Sequence, residues 1–79
     1  MVVYLSEYID PKAEQFLREH ATVVSTFDRI EEIDAIILRN IPVTAEMMDR
    51  AKKLKVIGKH GIGVNTIDVE AARQRGIRV

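Results

Sequence analysis

The sequence predicts an α/β fold, a parallel sheet of about five strands with helices on both faces, from two observations. Short apolar runs alternate along the 79 residues with segments of helical periodicity, and this repeat is typical of parallel sheets. Residues 34–38 are apolar at nearly every position, as expected of a strand that is covered on both faces. A chain of this length forms one small domain, because two independent cores would be too small to be stable.

The first half of the chain is predicted to hold three strands and one helix. Asp10 and Pro11 mark the helix start. An aspartate there accepts a hydrogen bond from a first-turn N–H, and a proline in the first turn removes no hydrogen bond of the helix. Residues 27–32 are predicted to be a polar connection of at most one helical turn. The strands are residues 2–5, 22–25 and 34–38. The helix face predicted to turn inward contains Ala13, Phe16, Leu17 and Ala21.

The second half is predicted to add two helices and two strands. Thr44 is expected to cap one helix, whose inner face contains Met47, Met48, Ala51 and Leu54. Asp68 is expected to cap the last helix and Gly76 to end it. The strands are residues 55–58 and, beginning a fifth strand, residues 77–79.

Composition excludes several classes of function. Twelve basic and twelve acidic residues give a formal net charge of zero, which argues against a general nucleic-acid binder. Without cysteine the chain has neither a disulfide framework nor a thiolate metal site. No apolar run approaches the roughly 18–20 residues that span a bilayer. We therefore expect a soluble cytoplasmic domain.

The stretch 58–66, Gly-Lys-His-Gly-Ile-Gly-Val-Asn-Thr, is the most informative part of the sequence. It follows a predicted strand, and open parallel sheets bind ligands at the carboxyl ends of their strands. Its glycines can expose successive N–H groups, which suits an anion. A dinucleotide-binding G-x-G-x-x-G motif is not formed, because its third glycine would fall at Thr66. The alternative interpretation is that the glycines only permit a tight connection.

Arg39, Asn40 and His60 are the other polar candidates at predicted strand ends. The guanidinium of Arg39 could hold a carboxylate or phosphate through two parallel hydrogen bonds, although a solvated arginine is the simpler interpretation. His60 has no carboxylate near it in sequence to orient it as a general base. We therefore predict no complete catalytic set and no metal site.

Residues 54–79 resemble the D-isomer-specific 2-hydroxyacid dehydrogenases, and especially the phosphoglycerate dehydrogenases among them. The family pattern there is a strand, then G-x-x-G-x-G-x-(D/N)-x-(I/V)-D, a helix and G-I-x-V. Residues 34–44 also resemble the family, whereas residues 1–33 agree only in the order of elements. The matching residues are Gly58, Gly61, Gly63, Asn65, Ile67, Asp68, Ala71, Ala72, Gly76, Ile77 and Val79.

The resemblance implies a flavodoxin-like three-layer sandwich, a substrate-binding domain for a small 2-hydroxy or 2-oxo acid. Main-chain N–H groups around Gly61, Ile62 and Gly63 would then hold the substrate carboxylate. Arg39 and Asn40 would bind the far end of the substrate. Asn65 and Thr66 stand where the family often has Asp and Asn, and these departures concern the identity of the substrate.

The resemblance also implies parts that residues 1–79 do not contain. The family's catalytic arginine, glutamate and histidine lie further along its chains, as does its NAD-binding loop. We therefore expect a single partial domain, truncated after the fifth strand, with NAD bound only in a full-length parent and no turnover by this chain alone. Two alternatives remain open: a stand-alone anion-binding module with this fold, or a structural fragment that only assembles.

A sheet that lacks its final helix should expose apolar residues near its last strand. We expect these to include Ile57, Ile77 or Val79. A symmetric contact covers one such patch on both copies at once. The sequence therefore predicts a homo-oligomer through residues 55–79.

Overall fold

The computed structural model describes residues 1–5, 10–38, 41–59 and 66–79. Within them, the strands are β1 (Val2–Leu5), β2 (Thr22–Val24), β3 (Ala35–Leu38) and β4 (Val56–Lys59). The α-helices are α1 (Pro11–His20), α2 (Ala45–Arg50) and α3 (Val69–Gln74), and a short 3-10 helix spans Ile30–Glu32. No helix in this part of the chain is long and apolar enough to cross a membrane.

The four strands form one parallel sheet in the order β2-β1-β3-β4. Beyond β4, Arg78 pairs in parallel with Val56. The N–H of Ile57 donates to the carbonyl of Arg78 at 2.7 Å, and the N–H of Arg78 donates to the carbonyl of Lys55 at 3.0 Å. The predicted fifth strand thus lies beside β4 as a single bridge. This is the flavodoxin-like order, and the predicted α/β fold is confirmed.

The hydrophobic core lies on the face of the sheet that carries Tyr4, Ile36 and Ile57, which are paired in register and buried. Tyr4 stacks on Phe27, with the ring centroids 4.0 Å apart. The 3-10 helix, α2, α3 and their flanking residues complete this core with Ile30, Ile33, Val43, Met48, Ala51, Leu54, Ile67, Ala71, Ala72 and Ile77. Helix α2 ends at Arg50, so Leu54 enters the core from the connection to β4 and not from the predicted helix face.

The opposite face of the sheet is covered less completely. The inward face predicted for α1 is wrong in part, because Phe16 is 64% exposed and no residue of α1 is buried. Ala13 is exposed as well, while Leu17 and Ala21 are half-buried. Helix α1 contacts β2, which is an edge strand of only three residues and therefore covers only part of the helix. Phe16 instead stacks on His20, with the ring centroids 4.2 Å apart.

The end of the chain exposes a different set of apolar residues from the expected one. Val79 is 49% exposed, whereas Ile57 and Ile77 are buried in the core. Val56 is 40% exposed, because alternation along β4 places it on the face opposite Ile57. The expectation of exposed apolar surface near residue 79 therefore holds for Val79. It is wrong for Ile57 and Ile77, and Val56 is exposed instead.

All three predicted helix starts are confirmed. The carboxylate of Asp10 accepts from the N–H of Ala13 at 3.3 Å, and that of Asp68 from the N–H of Ala71 at 3.0 Å. The hydroxyl of Thr44 accepts from the N–H of Met47 at 3.2 Å. Each contact satisfies a first-turn N–H that has no partner within its helix.

Candidate functional site

The carboxyl ends of β1, β3 and β4 lie side by side, and we call this side of the sheet the carboxyl edge. The register pairs Leu5 with Ile37, and Leu38 with Lys59. The chain leaves these three strand ends into residues 6–9, 39–40 and 60–65, respectively. The strand order reverses between β1 and β3, and such a switch point is where open α/β sheets bind ligands.

The predicted substrate-binding residues all follow strand ends at the carboxyl edge and lie outside the described residues. Arg39 and Asn40 come directly after the last residue of β3, and His60 comes directly after the last residue of β4. The five residues predicted to contact substrate are Arg39, Asn40, Gly61, Ile62 and Gly63. The strands from which they continue are adjacent and in register, and their substrate contacts stay a prediction.

Lys59 and Thr66 are the two described residues that flank the segment 60–65. The ammonium of Lys59 donates to the hydroxyl of Thr66 at 3.3 Å, and both residues are half-buried. This contact, which we call the Lys59–Thr66 bridge, joins the residue before the segment to the residue after it. The bridge therefore links the end of β4 to the start of the connection into α3.

Thr66 is also held by the main chain of the segment that leads into α2. The N–H of Val43 donates to the carbonyl of Thr66 at 2.8 Å, and the N–H of Asp68 donates to the carbonyl of Val43 at 3.0 Å. These bonds surround a parallel bridge between Val43 and Ile67, both of which are buried. The backbone of Thr66 is thereby fixed against the core independently of its side chain.

Lys59 gives the carboxyl edge a positive charge that the sequence analysis did not single out. Within the described part of the chain it forms no ion pair. Strand alternation could have identified this residue from sequence, because Lys59 falls two residues after buried Ile57 and so lies on the same face of β4. A lysine at such a position, directly before a glycine-containing segment, is a candidate for anion binding.

The ion pairs in the described residues lie elsewhere. The guanidinium of Arg75 forms two parallel hydrogen bonds to Asp49, from Nε to Oδ1 at 2.7 Å and from Nη2 to Oδ2 at 3.2 Å. This contact lowers the pKa of Asp49 and raises that of Arg75, chiefly through the hydrogen bonds. It joins the C-terminal ends of α2 and α3, away from the carboxyl edge. No cluster of three potential metal ligands occurs among the described residues.

Comparisons with known proteins agree with the fold and with the family resemblance. Residues 3–79 match the family model of the D-isomer specific 2-hydroxyacid dehydrogenase catalytic domain. A D-3-phosphoglycerate dehydrogenase of Archaeoglobus fulgidus is 38% identical over 89 residues, covering 100% of this chain and 17% of that protein. The crystal structure of the TT0316 protein from Thermus thermophilus superposes with a TM-score of 0.86 at 36% identity, covering 98% of this chain and 29% of that one.

A second similar structure is the NAD+-bound 3-phosphoglycerate dehydrogenase of Entamoeba histolytica. Its TM-score is 0.81 at 25% identity, and the match covers 98% of this chain and 31% of that one. Among the first curated relatives, the chain spans between 10% and 28% of their length. The family match extends over nearly the whole chain, so this protein belongs to the D-isomer-specific 2-hydroxyacid dehydrogenases and is similar to the phosphoglycerate dehydrogenases among them.

Proposed function

We propose that this chain supplies the substrate-carboxylate-binding part of a D-2-hydroxyacid dehydrogenase of the phosphoglycerate dehydrogenase type. The observation that supports this best is the Lys59–Thr66 bridge, which flanks the segment 60–65 at the carboxyl edge. In the proposal, main-chain N–H groups around Gly61, Ile62 and Gly63 donate to the carboxylate. Lys59 adds a positive charge beside them.

The proposed binding is physically favourable because several donors act on one anion. Hydrogen bonds to a charged acceptor are about twice as strong as neutral ones, and glycines let main-chain N–H groups approach a ligand closely. A lysine beside them attracts the anion as a point charge. Such a site favours a carboxylate over a neutral group of similar shape.

Arg39 and Asn40 are proposed to bind the other end of the same substrate. They directly follow β3, and neighbouring strands lie about 4.8 Å apart. The chain therefore leaves β3 and β4 at points separated by roughly the length of a small acid. The guanidinium of Arg39 has the planar geometry that binds a second carboxylate or a phosphate through two hydrogen bonds.

The described residues do not fit a bound nicotinamide dinucleotide. A pyrophosphate is held by free N–H groups at a helix N-terminus. Here one first-turn N–H of each of α1, α2 and α3 already donates to the side chain of Asp10, Thr44 or Asp68, and two of these acceptors are carboxyl groups, which do not favour a pyrophosphate beside them. We therefore propose that NAD binds to another part of a longer parent enzyme.

The proposal includes no turnover by residues 1–79 alone. Hydride transfer needs the substrate carbonyl and the nicotinamide to meet in one site, and the sequence contains no G-x-G-x-x-G motif. Oxidation of NADH in the presence of this chain and a 2-oxo acid, above the uncatalysed rate, would contradict this part.

Cytoplasmic location and self-association through residues 55–79 also stay predictions.

Calorimetric titration with two phosphorylated ligands tests the proposed carboxylate site. 3-Phosphoglycerate carries the carboxylate, whereas glycerol 3-phosphate has a hydroxymethyl group in its place. We expect 3-phosphoglycerate to bind about tenfold more tightly, since charge-assisted hydrogen bonds contribute about 1.5–3 kcal/mol. Lys59→Met should weaken its binding, and Lys55→Met, directly before the first residue of β4, should leave it unchanged. Equal affinity for the two ligands would show that the carboxylate is not recognised.

A further inference from the structure

We infer that Thr66 is a positioning residue for the anion site, and that it acts by holding the ammonium group of Lys59. The inference rests on the proposed function, because it assigns to Thr66 a part in binding the same anion. Thr66 ends the stretch 58–66 and stands where the family often has Asn, but the resemblance assigns it no contact with substrate. What points to it is the contact between its hydroxyl and Lys59.

The two partners of this contact are fixed to different parts of the fold. Lys59 ends β4 and pairs in register with Leu38 of β3. The backbone of Thr66 is bonded to Val43, in the segment before α2. Since both backbones are held without the contact, losing the Thr66 hydroxyl should release the Lys59 side chain without unfolding either element.

The chemistry of the pair favours anions. An ammonium group has three N–H donors, and one of them is used by Thr66 at 3.3 Å. The other two remain for a ligand, and the Thr66 hydroxyl, accepting from Lys59, can direct its own hydrogen elsewhere. A neutral acceptor at this position orients the lysine and leaves its charge in place. An acidic residue here would form an ion pair with Lys59 and cancel that charge.

The energetic benefit of the contact is preorganisation. A lysine side chain has a flexible four-carbon stem, and immobilising it when a ligand binds reduces the affinity. A partner that restricts this side chain before the ligand arrives removes part of that cost. We therefore expect Thr66 to influence ligand affinity through Lys59 and to have little influence on global stability.

Titration of the full chain with 3-phosphoglycerate tests the inference. Thr66→Val removes the hydroxyl with little change of shape, and we expect affinity to fall about three- to tenfold, the effect of one hydrogen bond. Thr66→Ser keeps the hydroxyl and should stay within about twofold of the wild type. Thr22→Val, a matched substitution at an exposed position of β2, should change nothing. The urea midpoint of Thr66→Val should stay close to the wild-type value.

A double-mutant cycle with Lys59→Met separates positioning from a general structural effect. If Thr66 acts through Lys59, Thr66→Val should have no further effect on affinity in the Lys59→Met background. An undiminished loss in that background would overturn the inference, and so would wild-type affinity in the Thr66→Val single variant. Either result would leave the proposed function standing. Should the valine variant fail to fold, Thr66→Ala replaces it in the same cycle. Absence of 3-phosphoglycerate binding by the wild type would overturn both proposals.

Discussion

At the residue scale, Gly76 has a conformation that the fold needs. Its φ of 71° lies in the left-handed region that side chains other than glycine disfavour. The N–H of Gly76 donates to the carbonyl of Arg73 at 3.2 Å, and the N–H of Ile77 donates to the carbonyl of Ala72 at 2.9 Å. This is the Schellman arrangement. It ends α3 and turns buried Ile77 toward the core.

Alanine substitutions at two glycines should therefore have different effects. Gly76→Ala should lower the free energy of unfolding by about 1–2 kcal/mol, because the new side chain is strained in this conformation. The cost is purely conformational, since a Cβ there has no neighbour within 4 Å. In Gly58→Ala the Cβ meets only the carbonyl oxygen of Ile36, at 4.0 Å, so stability should stay the same or rise slightly. Equal losses in urea unfolding of the two variants would contradict this account.

At the element scale, the helix starts could be predicted because they depend on neighbours in sequence. Asp10, Thr44 and Asp68 each accept a hydrogen bond from an N–H three residues later. Any chain with the same local sequence pattern can form this capping contact. The face of α1 could not be predicted in the same way. Periodicity places Phe16 on one side of the helix, but only the tertiary arrangement determines whether anything covers that side.

The candidate site likewise has features that the sequence predicts and one contact that depends on the tertiary structure. The glycine pattern and the alternation of strands with helices identify the stretch 58–66, at the carboxyl end of a strand, from sequence alone. The Lys59–Thr66 bridge joins the last residue of β4 to a residue in the connection to α3, and the path of the chain between them does not follow from helix or strand periodicity. A fifth strand beginning at Ile77 was predicted from sequence, while its position beside β4 and its reduction to one bridge at Arg78 depend on tertiary pairing.

Among the ion pairs of the described residues, the Asp49–Arg75 pair is the one that connects two helices, α2 and α3. Because the pKa of Asp49 is lowered in the folded protein, the pair stabilises the fold above the ordinary aspartate pKa of about 3.9. Its contribution is lost as the pH falls through the folded pKa. The side chain of Asp49 is 63% exposed, so the effect should be small.

A double-mutant cycle with Asp49→Asn and Arg75→Gln measures this coupling by urea unfolding. We expect a favourable coupling at pH 7 and a smaller one at about pH 2, because the lower pH favours protonation of the Asp49 carboxylate. The cycle is needed because Arg75 also donates to the carbonyl of Ala71, and the single variants mix the two contacts. Coupling of the same size at both pH values would contradict an ionic origin.

At the scale of the whole molecule, the edge of the sheet at β4 and residues 77–79 retains exposed apolar side chains. Val56 and Val79 are 40% and 49% exposed, near a fifth strand that consists of one bridge. A two-fold contact covers the same patch on both copies, and burial of apolar surface stabilises it. We therefore propose a second copy of this chain as the partner, joined through residues 55–79.

Sedimentation equilibrium at micromolar concentration tests the proposed self-association. We expect a mass of at least twice the 9.0 kDa of one chain, and Val56→Thr should shift the distribution toward the monomer. The threonine variant keeps a β-branched side chain of similar size, so the strand should persist. A monomer mass across the concentration range, with a cooperative unfolding transition, would show that one copy is stable by itself.

The central claim is that a carboxylate binds at the carboxyl edge beside β4, and NMR titration with 3-phosphoglycerate tests it most directly. The account predicts chemical-shift changes concentrated in the amides of residues 58–66, with smaller changes at residues 39–40. Glycerol 3-phosphate, which lacks the carboxylate, should leave the amides of residues 60–65 almost unchanged. Shifts of equal size with both ligands, or shifts confined to other parts of the chain, would contradict it.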